Sequence, residues 1–170
     1  MEKNIEKFYN LKVNGMCSIS IVNSEAPFIS CIDVEKLNYT LLKQTLSIYN
    51  NDCKTIVIGT NDLKSIELIN NTSVIIDDDC VSDAKFNCQL SKGSKASFGF
   101  NETQKLKISI DNDSKFQGQF FKSYKTDIII KNGGEVVVNC DGEINSEIMG
   151  SGSVSNYGDA IKNNSKSISE

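Results

Sequence analysis

The residues with the means to do chemistry in this 170-residue chain are six cysteines (Cys17, Cys31, Cys53, Cys80, Cys88 and Cys140) and an acidic run, Asp77-Asp78-Asp79. Thiols can cross-link, bind soft metals or attack carbonyls, but the thiolate nucleophile of an enzyme is normally raised by a neighbouring imidazole. The chain has no His, which removes Ser-His-Asp and Cys-His machinery, imidazole metal ligands and imidazole pH switches together. All 18 basic residues are Lys, so no guanidinium fork can clamp a carboxylate or phosphate. The cysteine spacings contain no Cys-x-x-Cys motif.

Asp77-Asp78-Asp79 with Asp83, and separately Asp111 with Asp113, offer the hard oxygens that Ca²⁺ prefers. Neither set has the glycine-fixed spacing of a known calcium loop, so a solvated acidic loop is the simpler reading. Paired carboxylates could also hydrolyse a glycoside, but nothing separates such a pair from ordinary surface acids, and the chain has no Trp to stack a sugar ring. No catalytic, cofactor-binding or metal-ligating residue is therefore assigned. Cys17, Cys88 and Cys140 fall among apolar alternations and read as small buried hydrophobes, whereas Cys53 and Cys80 lie in polar loops as exposed thiols. Disulfides remain the alternative for an exported form, with no pairing selected.

The elements that must position these groups are strands. Apolar residues alternate by two, and the intervals between them are filled with Asn, Asp, Ser and Gly. A repeat organises the alternation. Leu68, Leu90, Ile110, Ile130 and Ile148 serve as markers, 22, 20, 20 and 18 residues apart. Two residues before them stand Ile66, Cys88, Ile108, Ile128 and Ser146; six after stand Val74, Ala96, Phe116, Val136 and Val154. Between marker and return strand lie Asn70-Asn71-Thr72, Lys92-Gly93-Ser94, Asn112-Asp113-Ser114, Asn132-Gly133-Gly134 and Gly150-Ser151-Gly152, all turn chemistry. Upstream, Ile48 before Asn50-Asn51-Asp52 and Ile21 before Asn23-Ser24-Glu25 continue the series less regularly.

A period of about 20 residues matches the coils of a β-solenoid. The chain is read as all-β: a single right-handed parallel β-helix of about seven short coils, with a sandwich or barrel as the alternative. The helical domain is placed at residues 8–168, after an N-terminal lead (1–7) and before a short end (169–170). Inward columns at eight and ten residues past each marker put Phe98, Phe100, Phe116 and Phe120 into one core cluster. Gly152 is expected to need a positive φ. The Lys-rich tail reads as a linker or a final partial coil, with Ile161 and Ile168 favouring the coil. Asn38-Tyr39-Thr40, Asn101-Glu102-Thr103 and Asn112-Asp113-Ser114 match the glycosylation triplet, as Asn-rich sequence does by chance.

A net charge of -4 argues against a nucleic-acid footprint or a polybasic membrane patch. No apolar run reaches the roughly 20 residues of a spanning helix. The opening Met1-Glu2-Lys3-Asn4-Ile5-Glu6-Lys7 is not a secretory signal. A cytoplasmic location is expected if Met1 is the native start, and an envelope or surface location if a signal precedes it.

Gly150-Ser151-Gly152-Ser153-Val154 followed by Tyr157-Gly158 resembles the Gly-Ser-Gly plus Tyr-x-Gly ending of the putative auto-transporter adhesin, head GIN domain family. The opening is similar too: Phe8, Leu11, Val13 and Gly15 precede Ile19 and Ile21, and Leu46-Ser47-Ile48 precedes the repeats. The likeness covers residues 8–168 and implies a β-helical domain, usually exported to the bacterial envelope or surface, with an adhesin-like role and no catalytic residues. The chain departs from the pattern in its few Gly-x-Gly corners, its opening without a signal, and Asn163-Asn164-Ser165 in place of a further Gly-Ser-Gly. The expected function is a noncatalytic adhesin-like binding or structural module, with a surface glycan or protein as ligand. Two readings stay open beside it: a cytoplasmic scaffold that self-associates through its terminal coils, and a carbohydrate-active enzyme.

Overall fold

A computed structural model of the chain describes residues 1–49, 53–81 and 84–168. The expected corner Asn50-Asn51-Asp52, the acid Asp83 and residues 169–170 lie outside the described residues. The described residues form β1 (Glu2–Asn4), β2 (Asn10–Asn14), β3 (Ser18–Val22), β4 (Phe28–Ser30), a 3-10 turn (Val34–Lys36), β5 (Tyr39–Leu42), β6 (Thr45–Tyr49) and β7 (Thr55–Gly59). They continue with β8 (Ser65–Ile69), β9 (Ser73–Ile76), β10 (Lys85–Leu90), β11 (Lys95–Phe98), β12 (Asn101–Asp111), β13 (Lys115–Lys131), β14 (Glu135–Met149), β15 (Ser153–Asn156) and β16 (Lys162–Ile168). No helix among the described residues is long and apolar enough to cross a membrane.

The fold is a parallel β-solenoid. About five turns wind in chain order from β8 to β15, each strand pairing in parallel with its equivalent one turn away. The marker residues stack as expected: Ile48 on Val13, then Leu68, Leu90, Ile110, Ile130 and Ile148. A second inward column, Leu46, Leu11, Ile66, Cys88, Ile108, Ile128 and Ser146, runs beside it. Stacking like on like buries each aliphatic side chain against its own kind, for about 1.5–3 kcal/mol apiece.

The corners explain why the repeat tolerates so little variation in residue type. Asn70 and Asn71, Lys92 and Gly93, Asn112 and Asp113, Asn132 and Gly133, and Gly150 all have positive φ. Two successive left-handed residues make a tight corner of the I′ kind, which Asn, Asp and Gly enter at least cost. The next residue clasps the corner: the hydroxyls of Thr72, Ser94 and Ser114 each donate to the carbonyl three residues back, at 2.8 Å, from buried positions. Gly152 is not among the left-handed residues; Gly150, with φ 78°, takes that role. Gly152 serves packing instead, since a Cβ there would stand 2.7 Å from Ile130 Cγ2. The 18-residue spacing from Ile130 to Ile148 arises where β13 and β14 lose register between Gln117 and Lys122 and again between Ser123 and Lys125.

The N-terminal layers depart from simple succession. β2–β3 is sandwiched between β6–β7 and β8–β9, so the first coil formed by the chain is an internal layer. Ile21 is not a marker: it pairs with Ile58 and Ile76 on the opposite face, and Val13 takes the marker position. Both corners of a coil are polar, so turn residues after Ile21 do not distinguish the faces. The outermost layer is closed by antiparallel strands, β4 on β7 with β1 beyond it, and β5 on β6. These cover edges that would otherwise template pairing with another chain.

At the other end, β16 is a final partial coil on β14. Its inward positions are Asn163, Ser165 and Ser167, stacked on Ile144, Ser146 and Ile148, and Ser146 Oγ donates to Ser165 Oγ at 2.9 Å. The tripeptide that departs from the family pattern thus supplies two residues of a polar terminal layer, the usual device for ending a repeat array in water.

Lysine–carboxylate pairs link neighbouring coils across the surface: Lys115–Glu135 (3.0 Å), Lys122–Asp141 (3.1 Å) and Lys125–Glu143 (3.3 Å). The lysine hydrogen bonds hold Glu135, Asp141 and Glu143 below the usual carboxylate range. A carboxylate with a folded pKa below its unfolded value stabilises the fold above the unfolded value, and that contribution disappears as pH falls through the folded value. The urea midpoint is therefore expected to hold between pH 7 and 5 and to fall below about pH 4. A triple E135Q/D141N/E143Q variant should show a flatter acid limb than the parent in the same titration.

Candidate functional site

The core of the solenoid holds a cluster of four rings. Phe98 contacts Phe86 (centroids 5.5 Å), Phe116 (5.1 Å) and Phe121 (4.8 Å), and all four side chains are buried. The expected cluster shared two of these, Phe98 and Phe116. Phe100 and Phe120 were expected beside them, yet they are 64% and 47% exposed and lie outside. The cause is local. After the inward Phe98 and Gly118, two successive residues, Gly99-Phe100 and Gln119-Phe120, stay out of the core before Asn101 and Phe121 turn in. This extra residue at the second corner reverses the alternation on which the ten-residue column depends. The adjacency of Phe120 and Phe121 is a signal for it, because neighbours on a strand point to opposite sides.

The two outward rings lie against each other, centroids 5.0 Å apart and tilted by 45°. Phe120 lines an open groove of about 830 Å³ on the outer face of β9, β11 and β13, and Phe100 lies against Phe120 just outside it. Ile75, 57% exposed, pairs in register with Ser97, which pairs with Gln117, and these three form the floor. Gln119 and Phe120 line one side, and Asn23 with Asp77, Asp78 and Asp79 the other. The groove thus sets exposed apolar area beside amides and carboxylates.

The acidic lip is a built turn. Asp79 has a left-handed φ of 55°, its N–H donates to Phe100 O at 2.9 Å, and its carbonyl accepts from Asn23 Nδ2 at 3.2 Å. Asp78 Oδ1 accepts the Phe100 N–H at 2.7 Å, tying the lip to the aromatic pair. Among the described residues no group of three or more His, Cys, Asp or Glu is placed to hold a metal ion. Of the other acidic pair, Asp111 accepts from Asn132 Nδ2 at 2.9 Å, and Asp113 is a left-handed corner residue.

Behind the lip sits Asn101, a buried amide with every bonding position used. Its Oδ1 accepts from the N–H groups of Cys80 (2.9 Å) and Val81 (3.0 Å), and its Nδ2 donates to the carbonyls of Asp77 (2.9 Å) and Gly99 (3.2 Å). That burial also removes Asn101 as a glycan acceptor. Cys80, expected as an exposed thiol, is fully buried, because the Asp77–Asp79 turn swings it inward. Desolvation, with the nearby carboxylates, pushes its thiol up to about 12. Burial raises Cys17 to about 11 and Cys88 further still, so both keep their protons at neutral pH, as small hydrophobes should. Cys140 is buried as expected, and Cys53 is half-buried beside Cys31.

A family model described as the putative auto-transporter adhesin, head GIN domain, matches residues 8–160. Among solved structures, a putative adhesin from Bacteroides fragilis superposes with a TM-score of 0.73 at 12% identity, covering 99% of this chain and 93% of that one. A putative adhesin from Parabacteroides merdae gives 0.50 at 13% identity, covering 99% and 95%. No curated protein compared with the sequence matches it.

Proposed function

This chain belongs to the putative auto-transporter adhesin, head GIN domain family, and from that premise we propose that it is a noncatalytic adhesin-like binding module whose contact surface is the groove beside Phe100 and Phe120. The observation that carries the proposal is the outward aromatic pair, held in place by Asp78 and set among Ser97, Gln117, Gln119 and Asn23. Leaving two phenyl rings in water is unfavourable unless a ligand covers them, and rigid rings lose little entropy on doing so. Amides and carboxylates beside apolar rings suit the hydroxyls and C–H faces of a neutral saccharide. Three aspartates at the lip repel sialylated or sulfated chains.

The self-association reading needs bare terminal coils. It draws no support from an N-terminal layer covered by β1, β4 and β5 or from the polar inward side of β16. The catalytic reading needs an acid–base pair, and of the groove's aspartates Asp78 already spends a carboxylate oxygen on the Phe100 N–H.

On an array of neutral, sialylated and sulfated glycans, the parent chain should bind neutral members. F100S/F120S should lose binding at least tenfold while keeping its urea midpoint, since both side chains lie outside the core. Binding confined to acidic glycans, or unaffected by the double substitution, would refute the assignment.

A further inference from the structure

We propose that Cys31 and Cys53 form a disulfide that staples the N-terminal cap to the outermost coil. Their sulfurs stand 2.9 Å apart as free thiols. Cys31 follows β4, the antiparallel strand that covers the edge of β7, and Cys53 lies two residues before β7 begins. A bond between them ties the cap to the layer it covers. The ladder holds that approach in place, with Ile29 opposite Ile58 and Ser30 opposite Val57, and the terminal amine of Met1 donates to Cys31 O at 2.8 Å.

The pair is also reachable. Cys31 is buried, but Cys53 lines an open groove of about 490 Å³ with Ile32, Asp33, Lys36, Lys54 and Thr55, so a small disulfide reaches its sulfur. The other four cysteines are buried. With glutathione disulfide as oxidant, the Cys53 thiolate attacks one glutathione sulfur and expels the other as thiolate. The Cys31 thiolate then attacks Cys53 Sγ and expels the second glutathione. One S–S bond forms and one breaks, two electrons pass to glutathione, and the two cysteine protons end on the two glutathione thiols.

The test oxidises the full chain with glutathione disulfide, blocks free thiols, digests without reduction and identifies cross-linked peptides by mass spectrometry. The expected product joins Cys31 to Cys53 alone, with Tm raised by about 5–10 °C and restored by dithiothreitol. C53S, altered at the half-exposed partner, should fold with the Tm of the reduced parent and show no oxidant-dependent shift. Retention of all free thiols, glutathionylation of Cys53 without cross-linking, a different pairing, or a cross-link that leaves Tm unchanged would each overturn the proposal.

Discussion

Phe116→Ala is expected to lower the unfolding free energy by about 3–5 kcal/mol, measured by urea denaturation. The ring is fully buried and contacts Phe98, with centroids 5.1 Å apart. Gly118 leaves room for it, because a Cβ at that position would stand 2.5 Å from Phe116 Cε1. Truncation removes the transfer free energy of the ring and its tilted contact with Phe98, and the strands on either side cannot close the gap because their ladders fix the coil spacing. Phe120→Ala, four residues later, is expected to stay within about 0.5 kcal/mol of the parent, as exposed substitutions generally do. Equal losses at the two positions would mean that Phe120 is packed inside and that the groove has no aromatic border.

Asn101→Leu is the second large effect, about 3–5 kcal/mol, although leucine is nearly isosteric and more apolar. The amide satisfies two N–H groups and two carbonyls in the turn that carries the acidic lip. Leucine leaves them buried without partners, and each orphaned group costs about 1–3 kcal/mol, part of which relaxation recovers. Hydrogen exchange offers a local check: the amides of Cys80 and Val81 should lose protection in the variant more than those of Ile108 and Ile110 in β12. A loss under about 1 kcal/mol would show that water replaces the amide. Because Asn101 braces the lip, the variant should also weaken ligand capture in the groove.

Much of the architecture is legible in the chain because solenoid stacking demands like residues at fixed intervals. Leu68, Leu90, Ile110, Ile130 and Ile148 could be placed in one column since corners rich in Asn, Asp and Gly recur at nearly constant spacing. Layer order is another matter. Any strand with an apolar inward face fits any layer, so alternation does not reveal that β2–β3 lies inside β6–β7. The groove was hidden for a different reason: one additional residue at the second corner sends Phe100 and Phe120 outward, and a fixed ten-residue offset carries them inward. Cys80 was misplaced by the same polar company that marks a corner, since three consecutive aspartates surround a turn whose fourth residue is buried.

The inverted order of the first two layers changes what happens when the rod comes apart or is made. In an ordinary repeat array the end of the polypeptide is also the end of the stack, so erosion from the terminus sheds one outer unit at a time. Here β2 and β3 are the filling between β6 and β7 on one side and β8 and β9 on the other. A protease that trims the amino-terminal segment excises a middle rung and undercuts the one beyond it. A ribosome, likewise, releases that rung before either of its neighbours exists, so Asn10 has no partner strand until its nearest one, beginning at Thr45, has also emerged.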